Sequence, residues 1–174
     1  ITLDTQISLF PNEDSDNFGA DWGMFDYDFR WYVGDRLSLV SDGYFDFFSQ
    51  GLRTASFGAN MGRPEIGNVY LGYRMIEGPI SSNIVTADLT YRMSEKWGVK
   101  AGGQIDFGAT GSIGQSVGVV HIGESFLWML GANYDVSRDN VGIRFGFEPR
   151  FTTRPQLFRP GGVAIPPAGA RYLE

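Results

Sequence analysis

The chain contains no cysteine and only one histidine, His121, in 174 residues. Without thiols there is no disulfide framework and no thiolate metal site, and one imidazole cannot build a histidine-rich one. Long apolar runs are also missing. The longest, Phe126-Leu127-Trp128-Met129-Leu130, falls far short of the roughly 20 residues a membrane-spanning helix needs. Basic residues are the minority, 14 against 20 acidic for a net charge of −6. That balance argues against a nucleic-acid partner, which would call for clustered Lys and Arg. The start, Ile1-Thr2-Leu3-Asp4, has neither the basic opening nor the apolar stretch of a secretory signal. The expectation is a mature form or a piece of something larger, the second being preferred.

What the chain has in quantity is glycine, 24 residues, and aromatics, 15%. The two together suit crowded β-backbones and broad packing surfaces better than a helical bundle. The aromatics are not scattered. Phe25, Tyr27, Phe29, Trp31 and Val33 alternate with Asp26, Asp28, Arg30 and Tyr32. Period two places one set on each face of a strand. The pattern repeats: Val69 to Met75 against Tyr70, Gly72 and Arg74; Val85 to Met93 against Thr86, Asp88, Thr90 and Arg92; Trp97 to Phe107 against Lys100, Gln104 and Asp106. It continues with Phe126, Trp128, Leu130, Ala132 and Tyr134, then with Val141 to Phe147 against Arg144 and Glu148. Weaker versions occupy 2–10, 36–48, 53–61 and 116–122. The expected fold is all-β, about ten antiparallel strands running up and down, with no helix.

Several runs reach about ten residues, longer than the five or six of a soluble strand and matched to the nine to eleven of a tilted transmembrane strand. Trp22, Trp31, Phe47, Tyr91, Trp97, Phe107, Tyr134 and Phe151 stand near the run ends, where interfacial aromatic girdles belong. Gly34-Asp35, Gly62 to Glu65, Ser94 to Lys96 and Gly123 to Ser125 read as short turns after even-numbered strands; 11–21 and 108–115 read as longer polar loops after odd ones. Short turns on one side and long loops on the other is the asymmetry of outer-membrane barrels. The expectation is therefore an antiparallel up-and-down transmembrane β-barrel over 1–151, either a complete small barrel or part of a larger one. Residues 152–174, with Pro155, Pro160, Pro166 and Pro167 and no alternation, read as a poorly ordered periplasmic tail.

Some phrases also resemble a known family. Ile122 to Leu127 and Asn133 to Phe151 are similar to the C-terminal barrel strands of LptD-like lipopolysaccharide-assembly proteins, and Tyr70 to Ile80 and Leu89 to Trp97 to the hairpins before them. The version it suggests is that of the divergent, planctomycete-like members, and the resemblance covers roughly residues 67–151. The resemblance implies a bacterial outer-membrane barrel that inserts lipopolysaccharide into the outer leaflet. A lipoprotein plug and a periplasmic bridge are the partners it implies. The chain departs from the family in lacking a periplasmic domain and the cysteines of better-known members.

The candidate residues follow from the two faces. Asp26, Asp28, Arg30, Arg74, Asp88, Arg92, Lys100, Asp106, Arg144 and Glu148 are lumen-facing candidates. They would line a path for the sugar and phosphate part of a glycolipid, or simply pair across strands as any polar lumen must. Phe25, Tyr27, Phe29, Trp31, Trp97 and Trp128 are the lipid-facing candidates, with outer-membrane lipid as their partner. Pro149, which cannot donate a ladder hydrogen bond, and Phe151 mark the last strand and a candidate seam, or merely its periplasmic end. No cofactor, metal ligand or catalytic residue is expected. His121 has Ser116 and Ser125 as nominal partners but no nucleophile signature, and Gly108 to Gly114 is no phosphate loop. Two alternatives remain open: a small self-contained pore or structural barrel, and a soluble β-barrel with its aromatic face turned inward around an apolar ligand.

Overall fold

A computed structural model describes residues 1–12, 19–48, 51–63, 66–78, 81–108, 111–136 and 138–150. Phe151 and the tail read over 152–174 lie outside the described residues. Ten strands follow one another: β1 (Thr2–Leu9), β2 (Trp22–Tyr32), β3 (Leu37–Asp46), β4 (Arg53–Arg63), β5 (Gly67–Glu77), β6 (Ser82–Arg92), β7 (Trp97–Asp106), β8 (Gly111–Ile122), β9 (Phe126–Asp135) and β10 (Asn140–Pro149). They form one sheet in sequence order, every neighbour antiparallel. This is the up-and-down arrangement the alternation predicts. Among the described residues there is no helix, and β1 and β10 make no contact with each other.

The ladder registers fix how the sheet coils. One unbroken row of partners runs from Thr2 through Arg30, Val40, Gly58, Gly72, Thr86, Gln104, Gly114 and Asp135 to Asn140. Those partners are the first residue of β1, the fourth of β3, the sixth of β5, the eighth of β7 and the tenth of β9. The stagger is thus about one residue per strand, the ratio at which an eight-stranded barrel of shear 8 tilts its strands by about 36°. At about 3.3 Å per residue, a ten-residue strand so tilted rises about 27 Å.

Burial shows which way the sheet curls. Ser56 is 1% exposed and its neighbour Phe57 is 57% exposed; Gln104 is 3% and Ile105 is 43%. No second layer packs on either face among the described residues, so the sheet covers one face by curling around it. The polar face is the concave one.

Two loop expectations change. Residues 108–115 do not form a long loop, because β8 begins at Gly111 and only 107–110 connect it to β7. Between Gln104↔Gly114 and Ile105↔Ser112 the register slips by one residue. That bulge shifts side chains between faces, so no period-two signal survives there for the sequence to display. Connections of 12 and 6 residues follow β1 and β3, but four follow each of β5, β7 and β9, against three or four on the opposite side. The asymmetry rests on 10–21 and 47–52. Likewise Gly62 and Arg63 belong to β4 rather than to a turn.

Candidate functional site: two chemically opposite faces

Following the ladders, Asp26, Asp28, Arg30, Arg74, Asp88, Arg92, Lys100, Arg144 and Glu148 fall on the concave face, with Asp106 at its rim on the last position of β7. Phe25, Tyr27, Phe29, Trp31, Trp97 and Trp128 fall on the convex face. Pro149 closes β10 opposite Phe126.

The concave face holds its charges in short networks. Arg30 Nε donates to Asp28 Oδ1 at 3.0 Å along β2. Across three strands, Arg74 Nη2 lies 3.5 Å from Asp42 Oδ2, its Nε donates to Ser56 Oγ at 3.3 Å, and Ser56 Oγ donates to Asp42 Oδ2 at 2.8 Å. Gln104 Nε2 donates to Thr86 Oγ1 at 3.1 Å. Asp106 works differently. Its carboxylate accepts from Ser82 Oγ (2.7 Å), Asn83 N (2.9 Å) and Gly108 N (2.8 Å), tying the start of β6 to the turn after β7. Asp42, Ser56 and Gln104 were not among the sequence candidates. The signal for Asp42 is weak because the convex positions around it, Ser41 and Gly43, are small and interrupt the apolar row of β3.

Glycine gives this face its depth. Gly98, Gly102, Gly114, Gly118, Gly131, Gly142 and Gly146 all lie on the concave side of β7 to β10. Some are roofed by a neighbour: a Cβ at Gly102 would collide with the Asp88 carboxylate and one at Gly142 with Asn133, just as one at Gly72 in β5 would collide with the Tyr70 hydroxyl. Long polar side chains therefore lie flat across strand backbones. Toward the short-turn rim a pocket of about 410 Å³ opens between Tyr32, Arg36, Asn60, Arg63, Asn68 and Thr90.

The convex face is built of rings and aliphatic side chains. Phe25, Tyr27 and Phe45 stack with centroids 6.1 to 6.4 Å apart. The Tyr27 ring lies over Gly43 and its Oη is 3.1 Å from Ser41 Oγ, so the small residues that blur the β3 pattern are the seat of this ring. Across β7, β8 and β9, His121 sits between two indoles, 4.6 Å from Trp97 and 5.1 Å from Trp128 by centroid. Its Nδ1 is buried without a hydrogen-bond partner. Ser116 lies on the other face of the same strand, so these two residues form no catalytic dyad. Over β7 to β9 the face between the aromatic ends is mainly aliphatic, and a shallow trough of about 600 Å³ crosses it at Ala87, Ala101, Gly103 and Ala132.

No family model and no curated protein matches the chain. Polar groups are buried and partnered on the concave side. Leu71, Leu89, Ile105, Val117, Leu130 and Phe145 stand exposed on the convex side. Each such side chain left in water forgoes about 1.5–3 kcal/mol. In hydrocarbon that loss disappears and the same arrangement becomes the favourable one.

Proposed function

We propose that this chain is a wall of a bacterial outer-membrane β-barrel, with its convex face against lipid and its concave face lining a polar lumen. The observation that carries this reading is the inversion between adjacent residues, Ser56 buried beside exposed Phe57 and Gln104 buried beside exposed Ile105. A soluble ligand-binding barrel would carry the opposite arrangement, rings inward and carboxylates outward. A strand rise of about 27 Å agrees with an apolar band about 25 Å tall, and the four tryptophans with Tyr32, Tyr91 and Tyr134 stand near strand ends.

Within that setting the hairpin phrases over 67–151 support a role in lipopolysaccharide assembly. The concave set of Asp, Arg and Lys would face the sugar and phosphate portion of the lipid while its acyl chains stay on the convex side. The test is to express the chain behind a signal peptide and fractionate the membranes. The expected outcome is recovery in the outer membrane, released only by detergent. A soluble monomer obtained without detergent would overturn the membrane reading. Lipopolysaccharide that binds the detergent-solubilised protein no better than a neutral phospholipid would remove the assembly role and leave the barrel.

A further inference from the structure

The partnering of polar groups on the concave face stops at the short-turn rim. There the pocket of about 410 Å³ lies between the turn joining β2 to β3 and the tip of the β4–β5 hairpin. Arg36, Ser38, Asn60, Arg63, Asn68 and Thr90 are part of its wall. None of these six side chains has a hydrogen-bond or ion-pair partner among the described residues. Neighbouring cations of the face are occupied: Arg30 by Asp28, Arg74 by Asp42 and Ser56, Arg92 by the carbonyls of Ser94 and Glu95. The register explains the charge of the pocket. Gly62 N donates to Arg36 O, and the row continues through Asn68, Thr90, Lys100, Gly118 and Gly131 to Arg144. No carboxylate stands on that row. With no side chain at Gly62, the Asn68 amide lies across the β4 backbone on the Arg36 side of its own strand. Asp88, one row away, lies over Gly102 and is not part of the wall. Asp35, in the turn, is the one carboxylate among the described lining residues.

We propose that this pocket binds a phosphate group carried on a sugar, with the Arg36 and Arg63 guanidiniums on the phosphate and Ser38, Asn60, Asn68 and Thr90 on the sugar hydroxyls. A guanidinium presents a planar fork of donors that matches phosphate geometry. Two of them against the single Asp35 carboxylate give the wall a net positive charge, which a neutral sugar alone would leave unmatched. A bare phosphate would engage the guanidiniums and leave two amides and two hydroxyls without a ligand group. Amides and hydroxyls each both donate and accept, which is the chemistry that a ring of sugar hydroxyls calls for. The room suffices, since small-molecule sites occupy about 300–1,000 Å³. The inference rests on the lipopolysaccharide-assembly reading only for the source of its ligand: a glycolipid headgroup and a free sugar phosphate present the same chemistry. It goes beyond that reading in assigning Arg36, Arg63, Asn60 and Asn68, none of which the alternation of faces singles out.

The test is calorimetric titration of the chain, purified in a neutral detergent and phosphate-free buffer, with glucose 1-phosphate, glucose and inorganic phosphate. Glucose 1-phosphate should bind more tightly than either of the others. The double variant Arg36→Gln/Arg63→Gln should weaken it by about tenfold or more, the factor that one charge-assisted hydrogen bond supplies. Arg53→Gln, at the opposite end of β4, should leave binding unchanged. Asp35→Asn should tighten it, a gain that a misfolded variant could not produce. Binding of glucose 1-phosphate that survives the double substitution would overturn the proposal, as would no binding by protein of intact β-sheet content. Inorganic phosphate bound as tightly as glucose 1-phosphate would overturn the assignment to a sugar. Displacement of glucose 1-phosphate by lipopolysaccharide, and not by a neutral phospholipid, would identify the ligand as a lipid headgroup. Without that displacement the assembly reading falls while the pocket stands as a site for a free sugar phosphate, which keeps the two failures distinguishable.

Discussion

Asp106 and Arg74 illustrate two ways a charged residue is used on the concave face. Asp106 accepts three hydrogen bonds that hold the start of β6 against the turn following β7, and it is 4% exposed. Replacing it with alanine leaves two part-buried amides and a hydroxyl without their acceptor. Each charge-assisted bond contributes on the order of 1.5–3 kcal/mol, so Asp106→Ala should destabilise the fold by at least about 2 kcal/mol in a urea titration. Arg74 instead bridges Asp42 and Ser56 across β3 to β5. Arg74→Met would leave Asp42 still bonded to Ser56, so the expected loss is smaller, about 1 kcal/mol. Equal losses would mean that the Asp106 carboxylate holds the fold no more strongly than the Arg74 bridge.

At the scale of the strand, legibility depended on whether period two was left intact. β2, β5, β7 and β10 show it because large apolar residues fill one face and mostly polar residues or glycine the other, and β6 and β9 show it although Ile84, Leu127 and Met129 stand on the polar face. β3 was faint because Ser41 and Gly43 make room for Tyr27, a tertiary requirement with no local signature. The first half of β8 was lost altogether because its bulge breaks the period. The face of each candidate residue was legible for the same reason as the strands; the Arg74–Ser56–Asp42 partnership was not, since pairing depends on register across three strands. The strands also supply a depth-dependent prediction. Leu89 lies well inside β6 on the convex face and Tyr91 near its end. Against lipid, Leu89→Arg should cost about 2–4 kcal/mol and Tyr91→Arg about 0–1, measured by unfolding from vesicles. In a soluble sheet, two exposed positions would respond alike.

At the scale of the whole molecule, the four tryptophans form a ruler. Trp22 opens β2, Trp31 stands one residue from its end, Trp97 opens β7 and Trp128 is the third residue of β9. Trp22 therefore marks the long-loop rim; Trp31, Trp97 and Trp128 mark the short-turn rim. From Trp22 to Trp31 is nine steps of about 3.3 Å on a strand tilted by about 36°, hence about 24 Å along the axis about which the sheet curls, close to the apolar thickness of an outer-membrane barrel. In vesicles of lipid brominated at different depths, bromine near the headgroup end of the acyl chain should quench tryptophan fluorescence more strongly than bromine near the terminal methyl. Preferential quenching by the deep bromine would displace the tryptophans from the interfaces and the strands from a spanning orientation. Quenching by neither, with full access to aqueous iodide, would place the convex face in water. His121 sharpens the readout at one rim. It is wedged between Trp97 and Trp128, so His121→Phe should change the emission of the short-turn rim while leaving Trp22 unaffected, and depth could then be assigned to each rim separately.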